Sequence, residues 1–155
     1  MAEPTITQTR GAFSLACCAQ VNVHAPAARI WAILTDANSF PRWNSTVTSI
    51  EGEIREGAKL RIHVPDTDRT FTPTVSNVVP SARMTWSGGF SPVFKGVRTF
   101  ELRPRDDGST DFALTERFSG LLIPLVRRTL PDFGVVFARF VSDLRREAEQ
   151  SVTRA

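Results

Sequence analysis

Apolar and polar residues alternate from Phe13 to Val23, with Phe13, Leu15, Cys17, Ala19, Val21 and Val23 on one side. That is the period of a half-buried β-strand. At Pro26 the period changes. Ala27, Ile30, Trp31 and Leu34 recur at i, i+3, i+4 and i+7, one apolar stripe on a helix. Pro26 opens it, because proline needs no N–H at that position and its φ is already helical. Asp36 is placed to cap a second, short helix, which Phe40-Pro41 is expected to end before Trp43-Asn44.

Period two then returns. Strands are expected over 47–54, 59–64, 69–79, 83–87, 93–103 and 110–118. Glu56-Gly57, Pro65-Asp66-Thr67-Asp68, Pro80-Ser81 and Gly88-Gly89 separate the earlier ones, and Pro104-Arg105-Asp106-Asp107-Gly108 reads as a hairpin loop. Short connections between about seven strands imply an antiparallel meander. From Pro131 to Ser151 the helical period reappears: Phe133, Val136, Phe137, Phe140, Val141 and Leu144 form a wide stripe, with Arg139 and Asp143 at i, i+4 on the opposite side. The expected architecture is α+β, a curved antiparallel sheet wrapped around a long C-terminal helix, with two short helices after the first strand. At 155 residues the chain reads as one domain, 1–155.

The last hairpin holds the one chemical constellation. Closing its loop sets 102 opposite 112, 100 opposite 114 and 98 opposite 116, so Arg98 and Glu116 pair on the apolar, helix-facing side. Two charges there each lose several kcal/mol of hydration, roughly, unless they are paired and hydrogen-bonded. The pair reads as a self-satisfied ion pair fixing strand register or as the polar anchor of an apolar cavity, unless a slipped register puts both side chains outside.

Composition narrows the function. Eleven Phe and three Trp against no Tyr supply dry ring surface, with no phenols for acid–base work. The net charge of +3 comes from 19 basic residues scattered among 16 acids, clustered only at Arg127-Arg128 and Arg145-Arg146. No basic stripe suited to nucleic acid results. His24 and His63 are the only histidines, and no Cys/His spacing suits zinc, so no metal or cofactor is expected. Cys17 and Cys18 are strand neighbours pointing to opposite faces, which disfavours a disulfide between them and points to a reducing compartment. No apolar run approaches the roughly 20 residues of a membrane span, and the short one at 11–19 alternates as a strand does; a cytoplasmic protein is expected.

The motifs Ala25-Pro26, Ile30-Trp31, Leu34-Thr35-Asp36 and Phe40-Pro41-Arg42-Trp43-Asn44, followed by Pro80, Met84-Thr85-Trp86, Phe100-Glu101-Leu102-Arg103-Pro104 and Glu116-Arg117-Phe118-Ser119-Gly120-Leu121, resemble the START-like superfamily with its helix-grip fold. More narrowly, the chain resembles the polyketide cyclase/dehydrase and lipid-transport (SRPBCC) family, over roughly residues 13 to 150. The resemblance implies a hydrophobic or amphipathic small ligand, lipid- or polyketide-like, held between sheet and C-terminal helix. On the sheet, Phe71, Val75, Met84, Trp86, Phe94 and Phe100 are expected to line that cavity. Leu114, Phe118, Phe133, Phe137 and Phe140 would complete it, with Arg98 and Glu116 as its polar end. The alternative is a cyclase or dehydratase in which Glu116 moves a proton and Arg98 stabilises an enolate. The apolar run Leu121–Val126 before Arg127-Arg128 is expected to be a latch on the helix, or a gate touching a membrane surface.

Overall fold

The structure, a computed structural model, describes residues 3–65, 69–129 and 132–153. Asp66 to Asp68, most of one expected loop, and Pro131 lie outside those residues. A six-stranded antiparallel sheet runs in the order β1 (Thr5–Gly11), β2 (Ser14–Val23), β9 (Thr110–Ser119), β8 (Phe94–Pro104), β7 (Arg83–Phe90), β6 (Thr74–Val79). A second sheet holds β3 (Ser49–Glu51), β4 (Arg61–Val64) and β5 (Arg69–Phe71). The long helix α4, Phe133–Thr153, lies on the inner face of the large sheet, chiefly against β2. This is the helix-grip arrangement that the two periods predict.

Two strands exceed the expected number, for two reasons. The run 69–79 is divided at Thr72-Pro73, because Pro73 has no N–H to give to a ladder; β5 pairs with β4 while β6 pairs with β7. And β1, whose Thr5-Ile6-Thr7-Gln8-Thr9-Arg10-Gly11 has little hydrophobic contrast, forms an edge strand on β2. Gly88-Gly89, expected to break a strand, continue β7 opposite Gly96 and Lys95.

Pro26 stands in extended conformation immediately before α1 (Ala27–Leu34), which buries Ile30, Ile33 and Leu34. Asp36 does precede a 3₁₀ turn, Ala37–Ser39, but its side chain caps nothing. Its main-chain oxygen instead accepts the Ser39 N–H and hydroxyl. Phe40-Pro41 begins α2 (Phe40–Trp43) instead of ending the helix before it, since proline fits a first turn. Phe40, Trp43 and Phe140 then pack together, with ring centroids 4.7 to 6.4 Å apart.

Asn44 closes α2. Its buried Oδ1 accepts the Thr46 N–H, the Thr46 hydroxyl and the Val47 N–H at 2.8–2.9 Å. Asp143, expected on the exposed face of α4, is buried, and its Oδ2 accepts the Ser45 N–H at 2.9 Å and the Ser45 hydroxyl at 2.7 Å. One carboxylate thus ties the α2–β3 turn to the helix. Asp143→Ala is expected to cost about 2–3 kcal/mol, the worth of charge-assisted bonds whose donors are left stranded, with partial recovery in Asp143→Asn. Urea unfolding checks this: a variant with the parent's midpoint would show that the turn is held by its own Asn44 bonds alone.

Candidate functional site

The β8–β9 register is the one that the hairpin loop implies: Leu102 faces Phe112, Phe100 faces Leu114 and Arg98 faces Glu116. Extending that last pair across the sheet gives a single row, Val75, Trp86, Arg98, Glu116, Cys17 and Gln8. Val75, Trp86 and Cys17 in this row are buried, which places the row on the inner face. Arg98 Nε donates to Glu116 Oε2 at 2.9 Å, and the two side chains are 19% and 12% exposed. The Arg98 guanidinium lies 5.2 Å from the centroid of the Phe137 ring on α4, a cation–π contact. The Trp86 indole N–H, next in the row, is buried without a hydrogen-bond partner among the described residues.

The expected lining residues divide into two groups. Val75, Met84, Trp86, Phe100, Leu114, Phe137 and Phe140 are fully packed core. Trp86 and Phe100 meet at a tilt of 59° with ring centroids 4.7 Å apart, and Phe100 meets Phe140 at 6.1 Å, so their own rings fill the space expected for a ligand. Phe71 is a different correction: it lies on β5 of the second sheet and is 46% exposed, because the break at Pro73 carries it off the large sheet.

Open volume remains farther along α4. A cavity of about 330 Å³ is bounded by Leu15, Ala16 and Cys17 of β2 and by Glu116 and Phe118 of β9. Arg10 of β1, Arg127, Asp132 and Phe133 complete it. Phe118 and Phe133 stack with centroids 5.0 Å apart, and Phe94 backs Phe118 at 5.7 Å. Of the two charged residues expected at the polar end, Glu116 reaches this cavity. Arg98 does not line it but stands behind Glu116 and orients its carboxylate. Leu121–Val126 does not line it either. Those residues contain the one-turn helix α3, Ile123–Val126, whose Ile123 is buried, while the next residues, Arg127–Thr129, form a 3₁₀ turn.

Arg10, Leu15, Cys17, Arg127 and Asp132 are cavity residues that pattern reading did not assign. A signal for Arg10 existed in the β-branched spacing of Thr5, Ile6, Thr7 and Thr9. Arg127 donates from Nη2 to the Gly11 and Ala12 carbonyls at 2.6 and 3.4 Å, tying the 3₁₀ turn to the β1–β2 connection. Cys17 and Cys18 are both free thiols. Burial, and after it the neighbouring Cys18, Asp132 and Glu116, push the Cys17 thiol up to about 11.

Residues 17–153 match the family described as "polyketide cyclase / dehydrase and lipid transport". No curated protein sequence matches. Among solved structures, a START superfamily protein from Mycobacterium smegmatis is similar at 20% identity and a TM-score of 0.67, covering 87% of this chain and 97% of that one. DynU16, a protein of the dynemicin biosynthetic locus, is similar at 20% identity and a TM-score of 0.66 over 86% of this chain. The chain spans 47% of DynU16's length. CalU16 from Micromonospora echinospora is similar at 17% identity and a TM-score of 0.64, covering 92% and 81% of the two chains. At these identities the likeness is one of fold.

Two outcomes follow from the site's electrostatics. Arg98→Met and Glu116→Gln should each destabilise by about 2–3 kcal/mol, below the 3–5 of a fully buried pair because both side chains keep some water. Replacing both with apolar residues should restore much of the loss. Denaturant melts of the four proteins decide this, and single variants as stable as the parent would mean that water satisfies each charge alone. The Cys17 thiol stays protonated in the folded protein at pH values where the unfolded chain's thiol, with its ordinary value of 9.0, ionises. Its contribution to stability is therefore complete below pH 9 and is lost as pH rises toward about 11. Melting temperatures of the parent and Cys17→Ala should converge over that window, with Cys18 common to both.

Proposed function

Because the chain belongs to the polyketide cyclase/dehydrase and lipid transport family, we propose that it binds a small amphipathic molecule in the cavity between the β2–β9 end of the sheet and the start of α4. The observation that carries this reading is a cavity of about 330 Å³ whose walls combine the stacked rings of Phe118 and Phe133 with the Glu116 carboxylate. Ring walls take the apolar body of a ligand, and a few placed polar groups fix its orientation. Arg98 takes up one acceptor site of the Glu116 carboxylate, which leaves others for a ligand in the cavity. The complementary ligand carries a hydroxyl or N–H at one end. In this reading Arg98 is a positioning residue, and the protein works as a cytoplasmic carrier that exchanges its ligand at a membrane surface beside Leu121–Val126.

A second reading, a cyclase or dehydratase acting on a polyketide-like substrate, draws on the family description and on the biosynthetic setting of DynU16. There Glu116 would take a proton from the substrate, with Arg98 maintaining its charge and the rings excluding water.

The test is thermal stabilisation by 2-naphthol, naphthalene, decanoic acid and 1-decanol, alongside native mass spectrometry for a co-purified molecule. A ligand at 100 times its Kd stabilises by about 2.7 kcal/mol, readily seen as a shift in Tm. 2-Naphthol should exceed naphthalene in affinity by roughly ten-fold, the worth of a hydrogen bond to a charged acceptor, and Glu116→Leu should erase the difference. Chelator should change nothing. Silence from all four compounds, with stabilisation by a divalent metal, would overturn the reading. Turnover of a poly-β-ketone that Glu116→Gln abolishes while binding survives would replace carriage with catalysis.

A further inference from the structure

The strands of the large sheet come to an end together. Gly11, Ser14, Ser119, Lys95 and Gly89 form one row across β1, β2, β9, β8 and β7. Beyond that row, hydrogen bonds lace the β1–β2 turn, the β7–β8 turn and the segment after β9 into one face. The Gly120 N–H donates to the Phe13 carbonyl at 3.0 Å, the Leu121 N–H to Pro92 at 2.9 Å and the Leu122 N–H to Val93 at 3.1 Å. Residue 120 must be glycine for this, with φ at +132° and the Val93 carbonyl standing where a Cβ would be.

Large apolar side chains concentrate on this face and are left in water. Phe90 is 67% exposed, Leu125 76%, Leu121 59% and Phe13 53%. A single exposed Leu needs no explanation, but a contiguous group at one pole marks an interaction surface. Charge says what kind. No Asp or Glu occurs in 11–14, 89–95 or 119–129, whereas Lys95, Arg127 and Arg128 do, with Arg10 at the border. None of these four cations is ion-paired among the described residues. The opposite pole is its contrast: the β8–β9 loop presents Arg105, Asp106 and Asp107, and Val79, at the end of β6, is the one large apolar side chain exposed there among the described residues.

We propose that this pole docks on an anionic phospholipid surface, inserting Phe13, Phe90, Leu121 and Leu125 among the headgroups while Lys95, Arg127 and Arg128 meet the phosphates. A second copy of the chain is the poorer occupant. A two-fold contact would set the same unpaired cations against one another, which a layer of phosphates neutralises. Arg10 and Arg127 border the cavity as well as the pole, so a docked protein holds the cavity beside the lipid. That link to ligand exchange rests on the function proposed above; the docking does not.

Co-sedimentation with phosphatidylcholine vesicles, with and without phosphatidylglycerol, tests it. The intact protein should bind the phosphatidylglycerol vesicles, lose that binding as salt rises, and bind pure phosphatidylcholine far less. Phe90→Glu and Leu125→Glu should each weaken binding by roughly ten-fold or more at an unchanged Tm. Phe90→Glu should still take up 2-naphthol in vesicle-free solution, so loss of docking and loss of the cavity are read separately. The proposal fails if neither vesicle binds the parent, or if both variants bind as the parent does. It also fails if Leu125→Glu abolishes a concentration-dependent dimer and not lipid binding.

Discussion

Sliding β9 by one residue against β8 would turn Phe112, Leu114 and Glu116 to solvent and bring Ala113, Thr115 and Arg117 under α4. Burying a single Phe or Leu is worth about 1.5–3 kcal/mol, so the slip would cost a large part of the fold's stability. The loop makes the correct register local. Asp107 accepts the Ser109 N–H at 2.9 Å and its hydroxyl at 2.6 Å, the Arg105 N–H reaches the Ser109 carbonyl, and Gly108 takes the positive φ that closes the turn. From this hairpin β2 takes its register, and from β2 the helix takes its seat.

That constraint also decides the fate of the two charges. Once Phe100 and Leu114 face inward, Arg98 and Glu116 must do so as well, since they are two residues along on the same strands. An apolar pair in their place should keep most of the sheet's stability. Their presence therefore argues for a use other than stability, and the geometry divides the labour: Arg98 spends its Nε on Glu116 and its face on Phe137, while Glu116 borders open volume.

Sequence reading recovers what periodicity controls. The strands from β7 onward, the inward set of β8 and β9, the α4 stripe and most of the α1 stripe, where Ile33 is buried and Trp31 only half-buried, follow from periods of two and 3.6, and the Arg98–Glu116 pairing follows from loop length. It misses what depends on meeting partners. Thr5–Gly11 pairs along the edge of β2, and its β-branched Thr5, Ile6, Thr7 and Thr9 favour a strand without the apolar alternation that would announce one. Pro41 and Pro73 are ambiguous punctuation: the same residue type begins one helix and divides one strand run. The location of the cavity is the hardest. Alternation tells which side a ring faces, but only packing tells whether it meets another ring, and Phe100 does while Phe118 keeps one side open.

Why the opening lies where it does can be followed along α4. Over Phe140, Val141 and Leu144 the sheet presents Met84, Phe100, Leu102, Phe112 and Leu114, large side chains on neighbouring strands that close the interior. One row past Arg98 and Glu116, β7 and β8 present Gly88 and Gly96 instead. At Gly96 a side chain would press on the Phe118 ring at 3.1 Å, so the glycine lets that ring lie across β8 toward Phe94 and Phe133. Bulk is thus withdrawn from the sheet just as the helix begins, and the space is walled by rings and rimmed by Arg10, Arg127 and Asp132. The ion pair stands at the boundary between the filled half and the open one. A charge pair placed deeper would lie among packed rings with no water to meet.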